Sequence, residues 1–386
     1  MIGRHQLPVS SPISARTLAR GAAAALRGGH LVLQGLTSDL RERFGASAVA
    51  LTDSGTSALV LALRLTVGAG GTVAYPAYGC VDLAAAAEFA RVRVRLYDLD
   101  PATLSPDLSS LEAALRRGVD AVVATHLYGY PADVPGVAVL ADRAGVPVIE
   151  DAAQGAAGTL GGTLLGAFGP FTVLSFGRGK GLTGGAGGAL LAIGESAAAR
   201  IEAARVNGGG RGFRELAACT AQWTLGRPAV YGLPSALPWL RLGEMVYHPA
   251  HEPRGLAASA AAMVRAALRE ADAAAARRRA RATRLLDPAP AGVITSIPGG
   301  ASGMLRVPVR VRPDGDPPTR LGVVPAYPRT LFEQPELGPL LHAGETEHPG
   351  AGTLRALLHT VPVHDFVTAS DLQAIRMWLR ARDSSH

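Results

Sequence analysis

From Ala46 onward, short apolar runs alternate with stretches of helical periodicity. Residues 47–52 (SAVALT) read as a strand and 56–65 (TSALVLALRL) as a helix. The alternation continues with strands at 72–75, 92–97, 120–126 and 146–150, and with helices at 81–90, 108–117 and 133–144. Further β-type runs stand at 171–176 (FTVLSF) and 187–192 (GGALLA). Strands separated by helices predict an α/β layer fold with a mostly parallel central sheet. The runs at 119–127 and VPVIE are apolar almost throughout, as strands are when helices cover both faces of a sheet.

The pattern breaks at 207–254, where GGGRG, the prolines of LPSALPWL and two tryptophans, Trp223 and Trp239, show little periodicity. This stretch reads as a linker or interface-forming excursion. Its aromatic residues suit buried packing or a subunit contact better than a membrane surface or ligand. A long Ala/Arg helix is predicted from Gly255 to Leu286, then a β-type stretch at 303–312, a Pro-rich turn and a closing helix near 370–382. These form a smaller α+β C-terminal domain. The expected division is therefore an N-terminal segment 1–45, a large α/β domain 46–206, the excursion 207–254 and a small domain 255–386.

Bulk properties narrow the partners. A chain of 386 residues, 48% hydrophobic and 18% charged, is globular and long enough for two packed domains. The net charge of +7 would suit nucleic acid or anionic substrates. The positive charge is scattered, however, and its densest run (Arg277, Arg278, Arg279, Arg281, Arg284) lies in the Ala-rich helix, so it reads as a solvated face. No nucleic-acid partner is expected. Cys80 and Cys219 are too few for a disulfide framework and lack metal-ligand spacing, so no metal site is expected. Without a signal-type N-terminus or a run of about 18 apolar residues, the expectation is a cytoplasmic protein with no membrane contact.

One count changes the picture. Among 38 Lys and Arg residues there is a single lysine, Lys180. Surface charge and ion pairs work with either cation, but chemistry that needs a neutral amine cannot use a guanidinium. Lys180 stands in Leu174-Ser175-Phe176-Gly177-Arg178-Gly179-Lys180-Gly181, directly after the β run FTVL. In an open α/β sheet, ligands collect at the C-terminal ends of strands, and three other features fall there. Ser54-Gly55-Thr56-Ser57 opens a helix whose N-terminus can hold phosphate, with the Thr56 hydroxyl adding a bond, although such a turn is also an ordinary N-cap. Glu150-Asp151-Ala152-Ala153-Gln154 ends the strand VPVI and offers a carboxylate for a pyridinium nitrogen, with Gln154 in reach of a ring hydroxyl. Pro76-Ala77-Tyr78-Gly79-Cys80 could cover one face of a planar ring. Phosphate turn, carboxylate and amine in this order point to pyridoxal 5'-phosphate (PLP), with Lys180 as its Schiff-base residue and Ser175 donating to the phosphate.

The segments DSGTSALVLAL, YPAYGCVDLA, HLYGYPADV, VIEDAAQGAAG, FGPFTVLSFGRGKGL and GGAGGAL resemble successive motifs of the DegT/DnrJ/EryC1/StrS aminotransferases. YPRTLFEQPEL and PGAGTLRALLHTVPVHDF are similar to that family's ending. The resemblance implies a fold-type I PLP transferase that acts as a homodimer and takes an amino group from an amino acid, glutamate or glutamine. The acceptor it implies is a keto compound such as a nucleotide-linked sugar. It further implies Lys180 as Schiff-base lysine and proton carrier, Asp151 at the pyridine nitrogen, Gln154 at the ring oxygen, and Gly55, Thr56 and Ser175 at the phosphate. The ring-stacking slot, aromatic in most relatives, falls on Cys80, with Tyr78 or His126 as candidate helpers. The family's Gly-x-Asn-x-Arg segment is not recognisable, and Asn207 is a candidate substitute for its asparagine. Two rival readings stay open: a PLP-dependent lyase, replacement or condensing enzyme, and a non-catalytic PLP-fold partner protein.

Overall fold

Apolar strands long enough to be covered on both sides must find helices for both faces, and the N-terminal segment supplies part of that cover. A computed structural model of the chain describes residues 4–383, apart from 156, 205, 238, 240–244 and 313–314. Two helices, α1 (Ala15–Arg27) and α2 (His30–Phe44), come first, and the side chain of Ser14 caps α1 by accepting from Thr17 N–H. The alternating region then runs β1 (Ala48–Thr52), α3 (Gly55–Thr66), β2 (Thr72–Pro76), α4 (Asp82–Ala90), β3 (Arg93–Tyr97) and α5 (Leu108–Arg116). It continues with β4 (Ala121–Thr125), α6 (Val134–Ala144), β5 (Val148–Asp151), the short β6 (Thr159–Leu160) and β7 (Thr163–Leu164), β8 (Phe171–Ser175), β9 (Gly188–Ala192) and α7 (Glu195–Ala203).

Seven of these strands form one sheet in the order β1-β9-β8-β5-β4-β2-β3. The pairs β3–β2, β2–β4, β4–β5 and β5–β8 are parallel, whereas β9 runs antiparallel to both β8 and β1. The expected mostly parallel sheet is present. Because β9 alone is reversed, its leading residues meet the C-terminal ends of the other strands at one edge. One face is covered by α3, α4 and their neighbours around Leu59, Leu63 and Leu83. The other is covered by α2 through Leu36, Leu40 and Phe44, and by α10 (Ala258–Leu285) through Val264 and Leu268, against Leu174 and Leu191 of the sheet.

The stretch 207–254 is more ordered than its lack of periodicity predicted. It contains α8 (Phe213–Leu225) and α9 (Pro228–Ser235), while residues 242–244 of LGEMVYHPAHEP lie outside the described residues. Its ends close on each other, since Asn207 pairs with Arg254 and Gly255 N–H donates to Asn207 C=O at 2.7 Å. They close beside β1, where Asp53 N–H donates to Arg254 C=O at 2.8 Å. Trp223 packs under the Arg227 guanidinium, whereas Trp239 is exposed rather than buried.

The C-terminal region carries β10 (Gly300–Ala301), β11 (Val307–Arg310), β12 (Val324–Pro325), α11 (Pro349–Leu357), β13 (Leu358–Val361) and α12 (Ala369–Asp383). Strands β11, β13 and β12 make a three-stranded antiparallel sheet that packs on Leu285 of α10 and Leu372, Ile375 and Leu379 of α12. The arginine run on α10 is only partly a solvated face. Arg277 and Arg281 pair with Asp365, and Arg278 is buried, donates to Gly303 C=O at 2.9 Å and is pushed down to about 10 chiefly by that burial. No helix among the described residues is long and apolar enough to cross a membrane.

The chain's two ends are tied through Asp371, whose carboxylate accepts from Arg4, from Gln6 Nε2 and from Thr368 N–H and Oγ1. Burial alone would raise its pKa, but these donors hold it at about 2. An acid whose folded pKa is depressed stabilises the fold above its unfolded value and loses that contribution as pH falls through the folded value. Asp371→Asn is therefore expected to unfold at lower urea than the parent at neutral pH. The gap should shrink as pH falls from 3.8 towards about 2. Paired urea titrations across that range check this.

Candidate active site

Strand alternation gives two adjacent carboxylates at the end of β5 opposite surroundings. Glu150 is fully buried and accepts from the backbone N–H groups of Gly166 (2.6 Å), Phe168 (2.8 Å) and Gly169 (3.1 Å), from Thr172 Oγ1 and from His126. Burial opposes its charge, yet His126 and these N–H groups outweigh burial and leave its pKa below the ordinary value. His126 Nδ1 accepts from Ala132 N–H at 2.9 Å, so its proton sits on Nε2 and is donated to Glu150 at 2.8 Å. Both ring nitrogens are used. His126 thus braces the strand ends and does not line the cavity.

Asp151 faces the other way, into a cavity of about 280 Å³ at the C-terminal edge of the sheet. That volume is near the lower end of the range of about 300–1,000 Å³ usual for small-molecule sites. The seven residues singled out in the sequence, Gly55, Thr56, Cys80, Asp151, Gln154, Ser175 and Lys180, all line it. They arrive from the ends of β1, β2, β5 and β8, and the wall is closed by Gly185, Ala186 and Gly187 leading into the reversed β9.

The β1 turn is built for an anion. Ser54 caps α3, its Oγ accepting from Ser57 N–H at 2.9 Å. Helical geometry leaves the Gly55 and Thr56 N–H groups without an intrahelical acceptor, at the positive end of the helix dipole. A side chain at position 55 would put its Cβ 2.7 Å from Ser175 Cβ, so only glycine lets the β1 turn and the β8 end stand this close. The Ser175 hydroxyl is thereby set beside the same N–H groups.

The Asp151 carboxylate accepts from Ala153 N–H at 3.1 Å and from Thr125 Oγ1 at 3.5 Å. Burial pushes its pKa up, opposed by Ala153 N–H and by the charge of Lys180. A buried carboxylate facing a cavity with so little pairing is suited to a cationic ligand group. Gln154 accepts from Tyr128 N–H through Oε1 (3.1 Å) and donates from Nε2 to the Tyr327 hydroxyl (2.8 Å), which leaves one amide N–H uncommitted by these bonds. Burial pushes the Cys80 thiol up to about 12, so it lines the cavity as a neutral group. Tyr78 does not join it there, because its hydroxyl accepts from Tyr327 N–H at 2.9 Å, outside the cavity wall. Asn207 is exposed and does not line this chain's cavity.

Three neighbours escaped sequence reasoning. Tyr327 stacks on Tyr128 with ring centroids 5.6 Å apart and holds Gln154. Its segment was recognisable, but its position opposite Gln154 depends on a contact across 173 residues that no local pattern carries. Asp82 and Arg178 line the cavity itself. Arg178 sits inside the lysine loop and could have been flagged as a second cation there. An anion-binding helix end, a buried carboxylate and a lone amine on one small cavity fit a ring bearing phosphate, a basic nitrogen and an aldehyde, as PLP does. Among the described residues, no group of three or more His, Cys, Asp or Glu is placed to hold a metal ion.

The family model for the DegT/DnrJ/EryC1/StrS aminotransferases matches residues 26–315. Over 139 residues the chain is 35% identical to a UDP-N-acetyl-3-dehydro-alpha-D-glucosamine 3-aminotransferase of Acidithiobacillus ferrooxidans, covering 36% of this chain and 38% of the relative. Over 156 residues it is 37% identical to an L-glutamine:2-deoxy-scyllo-inosose aminotransferase of Streptoalloteichus tenebrarius, covering 40% of this chain and 37% of that relative. These alignments thus span well under half the length of the curated relatives. In overall shape the chain resembles the aminotransferase TlmJ of Streptoalloteichus hindustanus, with a TM-score of 0.75 at 24% identity over 97% of both chains. The family match extends across the whole cavity-forming region, and the chain belongs to the DegT/DnrJ/EryC1/StrS aminotransferase family.

Proposed function

We propose that this chain is a PLP-dependent aminotransferase that moves an amino group from an amino acid, glutamate or glutamine, to a keto-sugar or related keto acceptor in a ping-pong reaction. The observation that carries the reading is that the chain's one lysine shares a cavity with a buried carboxylate and a helix N-terminus. Bound PLP supplies an electron sink for the pair left when a proton leaves the donor's α-carbon. The chain's own residues divide the remaining work. The Gly55 and Thr56 N–H groups, the Thr56 hydroxyl and Ser175 Oγ would hold the phosphate. Asp151 would keep the ring nitrogen protonated, and the remaining Gln154 N–H would be available to the ring oxygen. Cys80 would cover a ring face as a thin apolar group. Lys180 Nζ would anchor the cofactor at its aldehyde carbon with loss of water, and once released its amine would carry the proton as general base and acid.

The substrates for which the relatives are named, a cyclitol ketone and a nucleotide-linked keto-sugar, support a polyhydroxylated ketone as acceptor. We extend the reading to a cytoplasmic homodimer, which the two free cysteines and the exposed Leu31, Phe213 and Trp239 favour. The division at 1–45, 46–206, 207–254 and 255–386 is likewise part of the proposal. It is supported by the closing of 207–254 on itself beside β1.

Lys180→Arg keeps the charge but cannot bond an aldehyde, so it is expected to abolish the absorbance band at roughly 400–430 nm of PLP-treated protein. The circular dichroism of the fold should be unchanged; persistence of the band removes Lys180 from the chemistry. Asp151→Asn separates function from stability. Activity is expected to fall at least about 100-fold, the scale of losing one preorganised electrostatic partner. The cofactor-free variant should be no less stable than its parent at neutral pH. Asp151 has a raised folded pKa, so its ionised form penalises the fold above that pKa. Any advantage of the variant should vanish as pH falls below 3.8, which thermal unfolding of cofactor-free protein measures.

A further inference from the structure

The loop that carries Lys180 has little support of its own. Residues 177–181 include three glycines, and Gly179 and Gly181 lie in the left-handed region at φ 76° and 80°. Glycine gives such a loop many backbone states to lose when it settles into one. Its two ends are held, because Phe176 N–H donates to Gly187 C=O at 2.8 Å and Gly184 N–H to Phe176 C=O at 2.9 Å. Leu182 is also buried, in the cluster between the sheet, α2 and α10. Among the described residues, however, a single hydrogen bond ties residues 178–182 to the rest of the chain. Gly179 N–H donates to Ser11 Oγ at 2.9 Å. The residue so held is the immediate neighbour of Lys180.

Ser11 belongs to the stretch 4–14, which forms no helix or strand and runs into α1. The stretch is pinned along its length. Arg4 and Gln6 donate to Asp371 of α12. His5 N–H donates to Pro228 C=O at the start of α9, and Gln6 N–H to Arg320 C=O, both at 2.9 Å. Leu7 C=O accepts from His364 Nε2 at 2.9 Å. On the other side of Ser11, the cap at Ser14 starts α1. That helix lies so close to α10 that a Cβ at Gly21 would stand 2.9 Å from Met263 Cγ. Ser11 is thus fixed from both directions. Val9 adds a second contact with the loop, since a Cβ at position 179 would stand 2.8 Å from Val9 Cγ1. Glycine there lets the stretch lie directly on the loop backbone.

We infer that residues 4–14 form a strap that sets the position of Lys180, with Ser11 as the positioning residue. Ser11 does not line the cavity, so it acts through Gly179 and not on a bound molecule. The strap also makes the C-terminal region and α9 part of the lysine's support, through Asp371, Arg320, His364 and Pro228. Such a strap goes beyond the aminotransferase reading, which it needs only for what the lysine binds.

Trypsin cuts after arginine and lysine, so cleavage of the native protein at Arg178 and Lys180 reports how often the loop opens. In cofactor-free protein, Ser11→Ala is expected to speed cleavage at these two residues roughly five- to tenfold, the scale of one net hydrogen bond. Cleavage elsewhere should not change. Ser11→Thr keeps the hydroxyl and should restore the parent rate, and Val9→Ala should act in the same direction as Ser11→Ala. Binding reads the positioning separately. In Ser11→Ala, affinity for PLP is expected to fall roughly five- to tenfold. Affinity for 4'-deoxypyridoxine 5'-phosphate, whose methyl group cannot bond an amine, should stay at the parent value. If Ser11→Ala does not fold, Val9→Ala carries the same two comparisons. Unchanged cleavage at Arg178 and Lys180 overturns the assignment, and so do equal changes, or none, in affinity for the two compounds. A parent protein that takes up neither compound defeats the PLP reading instead, and cleavage still tests the strap.

Discussion

The site depends on the buried carboxylate of Glu150. Five donors converge on it: three N–H groups of residues 166–169, the Thr172 hydroxyl and His126 Nε2. With those bonds made, the end of β5 is joined to the end of β4 and to the loop that leads into β8. The following residue, Asp151, then points into the cavity because side chains alternate along a strand. A carboxylate with five donors thus holds in place one that has only Ala153 N–H and a long bond from Thr125. The folded protein accepts the cost of the second, as expected where a charge is kept for chemistry rather than for stability.

The reversed strand β9 contributes the second constraint. A sheet that is otherwise parallel along β3-β2-β4-β5-β8 would leave the β8 end open. The antiparallel return brings Gly185, Ala186 and Gly187 back to the same edge, and Gly188 pairs with both Thr52 and Ser175. Together with Gly55, which tolerates Ser175 at contact distance, this places the N-terminal turn of α3 next to the lysine loop. Backbone approach sets the spacing here.

Local signals carried most of this architecture into the sequence. The strands and helices between Ala48 and Ala192 follow the apolar alternation, since each strand of the large sheet has Gly, Pro or Asp at one or both ends and lies between helices. The cavity residues were legible for a related reason: each lies at a strand end, and Lys180 is alone of its kind. Long-range packing stayed hidden. Nothing local shows that α2 must cover the sheet beside α10, that Arg278 turns inward, or that Tyr327 reaches Gln154. The helices α8 and α9 were missed because Gly and Pro interrupt the periodicity on which helix prediction rests, including Pro234 inside α9 itself.

The central claim is that the chain's only lysine is the covalent anchor of its cofactor. Borohydride reduction of PLP-treated protein, followed by peptide mass mapping, asks this with no substrate needed. The account predicts a stable pyridoxyl adduct on the peptide containing Lys180 and on no other. A protein left unlabelled at Lys180, or labelled only at its terminal amine, would contradict it.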